Sequence, residues 1–171
     1  MASARRQRVV RSASGTEVVM GPLEPSDHDA LFALFSDVVA RGDGYPHAPP
    51  LTRGMFDATW VTAVTLVTSA RLDGVLVGAY YLKPNSPGRA AHIANAGYLV
   101  DRRHRRRGIG RLLVEDSVWR APLLGFDAVQ FNLVFASNPA RALYEELGWK
   151  VIGRVPEAVD GEEALIYWRR V

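Results

Sequence analysis

The chain of 171 residues is 48% hydrophobic and 23% charged, the length and balance of one globular domain with a single core. No apolar run reaches the roughly 18–20 residues that span a bilayer, and the absence of cysteine excludes disulfides, thiolate nucleophiles and cysteine-type zinc sites. The net charge of +3 invites a nucleic-acid reading, but without Arg5, Arg6, Arg8 and Arg11 the chain holds 17 basic against 18 acidic residues, and five of those 17 lie between Arg102 and Arg107. Charge so concentrated fits a local anion site better than a basic face.

Residues 1–15 read as a flexible basic tail, with a bound arm or targeting segment as the alternative. They lack the apolar stretch of a secretory signal, and the chain is expected in the cytoplasm. Residues 16–171 read as one domain, beginning with a strand over Glu17–Leu23. Ser26 stands where a helix cap belongs, and Leu31, Leu34, Phe35, Val38 and Val39 follow at helical spacing. Arg41–Pro50 holds two Gly and three Pro and reads as a loop. Leu51-Thr52 precedes a short helix carrying Met55, Phe56 and Trp60. Thr62–Ala70 and Val75–Leu82 read as a hairpin turning at Leu72-Asp73-Gly74, and Ile93–Val100 as a further strand.

Gly108 opens a helix that runs to about Leu124. Its apolar stripe starts with Ile109, Leu112 and Leu113 and then blurs; Pro122 should kink or end it, with Gly125 as the stop. Val129–Phe135 is a strand. Asn138-Pro139 gives a cap followed by proline at the first helical position, and Gly148 ends that helix. Trp149–Val155 and Ala164–Arg169 close the chain as strands. The order β-α-α-β-β-β-α-β-α-β-β defines a mixed α/β (α+β) domain, helices covering a largely antiparallel sheet.

Between a strand and a helix, residues 105–110 read Arg-Arg-Arg-Gly-Ile-Gly. Small residues there let successive N–H groups turn toward one point ahead of a positive helix end, which suits a diphosphate. A dinucleotide fingerprint needs a third glycine where Leu113 stands, and a Walker A loop needs Gly-Lys-Ser/Thr. Alone, the two glycines equally permit a mere tight turn.

The run Tyr98-Leu99-Val100-Asp101-Arg102-Arg103-His104-Arg105-Arg106-Arg107-Gly108-Ile109-Gly110-Arg111-Leu112-Leu113 resembles motif A of the GNAT acetyltransferases, with Arg105, Gly108 and Gly110 at its three defined positions. Arg106 departs from the glycine many members carry. Asn138-Pro139-Ala140-Arg141-Ala142-Leu143-Tyr144-Glu145-Glu146-Leu147-Gly148-Trp149 resembles the family's second signature. Asn138, Tyr144 and Gly148 fit it, Ala142 is displaced by two residues and Trp149 replaces Phe. The resemblance implies a GNAT sheet whose two central strands, Ile93–Val100 and Val129–Phe135, splay apart around acetyl-CoA, with no metal. It implies pantetheine contacts at Leu99 and Val100 and a pyrophosphate site at Arg105, Arg106, Arg107, Gly108, Ile109, Gly110 and Arg111. Asn138 would contact the pantetheine, unless it is a plain helix cap. Tyr144 would meet the thioester and protonate the departing thiolate, unless it is simply a half-buried aromatic.

The implied reaction is direct attack by a neutral amine, aided by alignment and a backbone N–H near Tyr98 or Leu99. Many relatives place a Glu on the first splayed strand; here His92-Ile93-Ala94-Asn95-Ala96-Gly97 has no carboxylate. Asn95 takes no proton at neutral pH but can hold a water or an acceptor carboxylate. His92 at a strand entry is more often solvated, and His28, His47 and His104 have less claim as base. Asn95 through Val100, with Phe131-Asn132-Leu133-Val134-Phe135 and Ser137-Asn138, is similar to the fungal proline-analogue acetyltransferases. That likeness implies acceptor contacts at Asn95 and Asn132. Asn132 sits amid apolar strand residues, where a buried amide needs a partner. Asp43 and Tyr45 lie on a loop expected to roof the acceptor pocket, although a turn-forming Asp is the blander reading.

Other readings are an acyl-CoA-sensing module on the same fold, or transfer to a protein or peptide amine. A nucleic-acid partner is disfavoured because no aromatics interleave the arginines. A homodimer would pair through the closing strands.

Overall fold

The computed structural model describes residues 3–171. Eight strands form one sheet in the order β1-β2-β3-β4-β5-β6-β8-β7. They are β1 (Arg8–Arg11), β2 (Glu17–Pro22), β3 (Leu66–Leu72), β4 (Val75–Pro84), β5 (Ile93–Val100), β6 (Ala128–Phe135), β7 (Lys150–Val159) and β8 (Glu162–Arg170). The helices are α1 (His28–Ala40), α2 (Arg53–Trp60), α3 (Ile109–Leu123) and α4 (Arg141–Glu146). Every pairing is antiparallel except β5 with β6, the pair that α3 connects by a crossover. No helix among the described residues is long and apolar enough to cross a membrane.

Side-chain alternation along β4 builds two cores. Ala79 and Tyr81 meet Leu31, Phe35, Phe56 and Trp60 of α1 and α2 on one face. Tyr80 and Leu82 meet Leu113 and Val114 of α3, with Phe131 and Tyr144, on the other. Leu31 and Phe35 are fully buried, each contributing about 1.5–3 kcal/mol of apolar burial. The stripe of α3 blurs because the helix buries polar residues too: Asp116, Ser117 and Arg120 are inside. Asp116 accepts from Arg120 Nε at 2.6 Å and from Tyr80 Oη at 2.7 Å, and Arg8 reaches its other oxygen at 3.2 Å. A buried carboxylate needs such partners.

That network corrects the N-terminal reading. Arg8–Arg11 is not a flexible tail but a strand paired with Glu17–Met20. Arg120 donates to Ala4 O, and Arg8 lies over the Trp119 ring at 4.0 Å. Met1 and Ala2 lie outside the described residues. Other boundaries shift for local reasons. Ser26 sits inside a 3-10 turn, and Asp27 instead accepts from Glu24 N–H at 2.8 Å. β3 begins at Leu66 rather than Thr62, after Ala63 adopts φ +58°. The hairpin expected at Leu72-Asp73-Gly74 forms, but Leu72 pairs with Val75, so the turn is Asp73-Gly74 alone, at φ +50° and +80°. α3 ends one residue beyond Pro122, and Gly125 at φ +87° stops it.

Candidate active site

β5 and β6 stay paired only from Ile93↔Ala128 to Asn95↔Gln130, then diverge. β6 is redirected by a bulge between Phe131 and Val134 against β8, as an extra residue bends a strand. Asn95 pins the fork. Its Nδ2 donates to Gln130 O at 3.1 Å and its Oδ1 accepts from Tyr81 Oη at 3.2 Å. Beyond the fork lies a cleft of about 940 Å³, running from residues 105–111 to Lys83 and His47.

Backbone direction decides what β5 offers that cleft. Asn85 N–H bonds to Ile93 O and Asp101 N–H to Val77 O, so Ile93, Asn95, Gly97 and Leu99 turn their amides toward β4. The intervening Ala96, Tyr98 and Val100 turn theirs toward the gap, where Tyr45 Oη donates to Tyr98 O at 3.2 Å. Val100 and Tyr98 line the cleft; Leu99 does not, being 2% exposed in the α1/α2 core. Leu99, expected to contact pantetheine, is thus turned away from the cleft that Tyr98 and Val100 line.

At the far end, Arg106 and Gly108 adopt φ +63° and +78° and curl the chain into the start of α3. The first intrahelical donor is Leu112 N–H, to Gly108 O at 3.2 Å, which leaves Ile109, Gly110 and Arg111 N–H at the positive helix end. A Cβ on Gly110 would meet only Val100 Cγ2 at 3.9 Å, whereas one on Gly108 would lie 2.8 Å from Ser12 Cβ. Ser14 Oγ donates to Arg107 O at 3.2 Å. The β1–β2 hairpin thus buttresses the loop, a role the sequence did not suggest. Arg105, Arg106, Gly108, Ile109, Gly110 and Arg111 line the cleft and Arg107 stands outside it. The donor set of free amides and an Arg106 with no ion pair among the described residues suits a diphosphate.

Tyr144 sits at the throat, buried among Phe131 (ring centroids 4.8 Å), Tyr98 (6.4 Å) and Trp149 (6.2 Å). Its hydroxyl makes no hydrogen bond among the described residues. Burial pushes the phenol well above its ordinary value, so it stays protonated at neutral pH. Asn138 is not the helix cap the sequence suggested: α4 starts at Arg141 after Ala140 with no side-chain cap, and Asn138 Oδ1 instead accepts from Ala140 N–H at 2.9 Å in the turn before it. Its Nδ2 faces the loop, 3.3 Å from where a Gly44 Cβ would stand.

The loop of residues 42–47 crosses the cleft. Tyr45 packs on Phe35 at 4.9 Å, and Gly97 makes room for it: a Cβ there would lie 2.7 Å from both Tyr45 Oη and Tyr81. Asp43 lines the cleft, but its carboxylate is taken by Arg41 (3.0 Å) and Arg105 (2.9 Å). Those arginines draw its pKa below the ordinary range against the effect of burial. Asn132 is exposed rather than buried, because the β6 bulge turns it out. It donates to Asn85 Oδ1 at 2.7 Å and accepts from Gln130 at 2.9 Å, on the cleft rim. Sequence reasoning missed Thr59, Tyr81 and Lys83. The only signal was a lysine interrupting an apolar strand.

The family model for the acetyltransferase (GNAT) family matches residues 33–149. A GCN5-related N-acetyltransferase structure from Kribbella flavida superposes with a TM-score of 0.83 at 33% identity, covering 90% of this chain and 98% of that one. A phosphinothricin acetyltransferase from Sinorhizobium meliloti in complex with AcCoA shares the fold at 18% identity and a TM-score of 0.79, with 90% and 88% covered. N-acetyltransferase aca1 of Schizosaccharomyces pombe is 46% identical over 84 residues, 48% of this chain and 40% of that protein; the chain thus spans less than half the length of this curated relative. The chain belongs to the acetyltransferase (GNAT) family.

Proposed function

We propose that the chain moves an acetyl group from acetyl-CoA directly to the amine of a small molecule, with cyclic imino acids such as proline analogues as the acceptor class. The observation that carries this is the forked β5–β6 cleft, with a helix-end anion cradle at one end and a polar pocket at the other. Acetyl-CoA supplies the activated acyl group. The amides of Ile109 to Arg111, with Arg105 and Arg106, hold its diphosphate. Val100 and Asn138 Nδ2 hold the pantetheine, and Tyr98 N–H, turned into the gap, steadies the oxyanion.

The neutral amine attacks the thioester carbon. A C–N bond forms and the C–S bond breaks. Tyr144 gives its proton to the leaving sulfur, and the proton of the acylated nitrogen passes to solvent. Asn95 and Asn132 orient the acceptor under the loop bearing Asp43 and Tyr45. Much of the acceleration comes from alignment, worth up to about 7–11 kcal/mol in favourable cases.

A homodimer through β7 belongs to the same reading: it is a sheet edge exposing Val151 and Ile152. The test is thiol release from acetyl-CoA with azetidine-2-carboxylate, hydroxyprolines, polyamines, aminoglycosides and peptides as acceptors. Turnover confined to the imino acids and lost in Asn132→Ala supports the full reading; turnover with another amine class removes the acceptor assignment.

A further inference from the structure

The pocket beyond the fork lies on the α1/α2 face of the sheet. Tyr81 packs there with Trp60, their rings 5.2 Å apart, and alternation places Lys83 on the same side of β4. Lys83 pairs across β4–β5 with Asn95. Its ammonium lies 4.9 Å from the Tyr81 ring centre, and it shares the cleft wall with His47, Thr59 and Asn132.

This pocket has an unbalanced charge. Among the described residues Lys83 has no carboxylate partner, whereas Arg105 and Arg111 in the same cleft are ion-paired and Arg106 stands in the phosphate loop. The carboxylates on the cleft wall are elsewhere or engaged. Asp43 is held by two arginines. Glu162 accepts from Ser137 N–H at 2.6 Å, and Asp160 stands in the β7–β8 turn. His47 adds no charge at neutral pH, since burial lowers its pKa, helped by Lys83 itself. Its Nε2 lies 3.1 Å from Thr59 Oγ1. Thr59 spends its own proton on Met55 O at 2.9 Å, so it accepts from His47. A half-buried ammonium with no carboxylate partner among the described residues, beside a neutral imidazole, is a receptor for an anion.

Building on the acetyltransferase reading, we propose that Lys83 is the specificity-determining residue for the acceptor, binding a carboxylate that the amine substrate must carry next to its nitrogen. The site therefore selects amino and imino acids over polyamines, aminoglycosides and lysine side chains, whose positive charges Lys83 repels. Burial lowers the pKa of Lys83, and a bound carboxylate restores its stabilising partner.

The test compares azetidine-2-carboxylate with its uncharged carboxamide in the full chain, by thiol release at saturating acetyl-CoA. The wild type should favour the acid in kcat/KM. Lys83→Met should reduce the acid-to-carboxamide ratio about 10- to 100-fold, the range for a charge-assisted hydrogen bond, chiefly through KM, and Lys83→Arg should restore part of it. A ratio unchanged in Lys83→Met overturns the assignment even if both variants turn over. Because the ratio is internal to each variant, a general loss of folding does not mimic it. No thiol release with any amine overturns the acetyltransferase reading as well.

Discussion

Replacing Gly108 by alanine strikes the phosphate cradle in two separable ways. The backbone at φ +78° costs an L-residue about 1–2 kcal/mol. The new Cβ also lands 2.8 Å from Ser12 Cβ, an overlap between two poorly adjustable groups that adds about 1–3 kcal/mol. The total is about 2–5 kcal/mol, divided between stability and binding. At about 2–4 °C per kcal/mol for a chain of this length, Tm should fall by about 4–20 °C. Acetyl-CoA affinity should drop at least about tenfold, because the amides after residue 108 no longer converge. Ser12→Gly in the same chain removes the overlap and leaves the φ cost. Relative to Ser12→Gly alone, Gly108→Ala should then lose about 1–3 kcal/mol less than in the wild type. Thermal melts and calorimetric titration with acetyl-CoA measure both quantities. Wild-type Tm and affinity in Gly108→Ala, or strict additivity with Ser12→Gly, would refute the buttressed-loop argument.

Tyr144→Phe should leave Tm within about 1 °C, since the hydroxyl has no hydrogen bond among the described residues to lose, while kcat falls about 10- to 100-fold; acetyl-CoA affinity reports whether the pocket is intact. The raised pKa of Tyr144 keeps it protonated, so no alkaline decline in kcat below pH 10 should trace to this residue in a Phe comparison. Arg120→Met removes one partner of a pair whose side chains are 0% and 2% exposed and should cost about 3–5 kcal/mol in urea unfolding, more than Arg8→Met at the network's exposed end. Asp101 is lowered from 3.8 to about 2, first by hydrogen bonding to Arg103. Its contribution is therefore fully present above pH 3.8 and lost as pH falls toward 2. Arg103 is largely exposed, so the acid melt of Asp101→Asn should differ from wild type by only about 1 kcal/mol.

The glycine loop before α3 was legible because local rules write it, glycine at a left-handed position and a free helix end, whereas the Asn-Pro cap was misplaced, since α4 starts only at Arg141. The sheet's existence was legible from strand patterning, but β1 was not. Arg8–Arg11 is a short edge strand whose inward contacts are made by an arginine to Asp116, and no apolar alternation announces that. The acceptor pocket was half legible. Asn95 and Tyr45 stand in the cleft as expected, but Asn132 was assigned to the interior because its neighbours are apolar, and a bulge, invisible in composition, turns it out. Asp43 was recognised as polar loop chemistry, yet its arginine partners come from α1's end and from 62 residues downstream. Little in the sequence marks Lys83, since a lone lysine in a strand usually reaches water, and only the fold shows it sharing a cleft with Asn95.

The central claim is best tested by initial rates of thiol release from acetyl-CoA with azetidine-2-carboxylate varied against it, and mass spectrometry of the amine product. Intersecting double-reciprocal lines and a product heavier by one acetyl group are the predicted result. Failure of the protein to bind acetyl-CoA, or parallel lines from an acylated enzyme intermediate, would contradict the account.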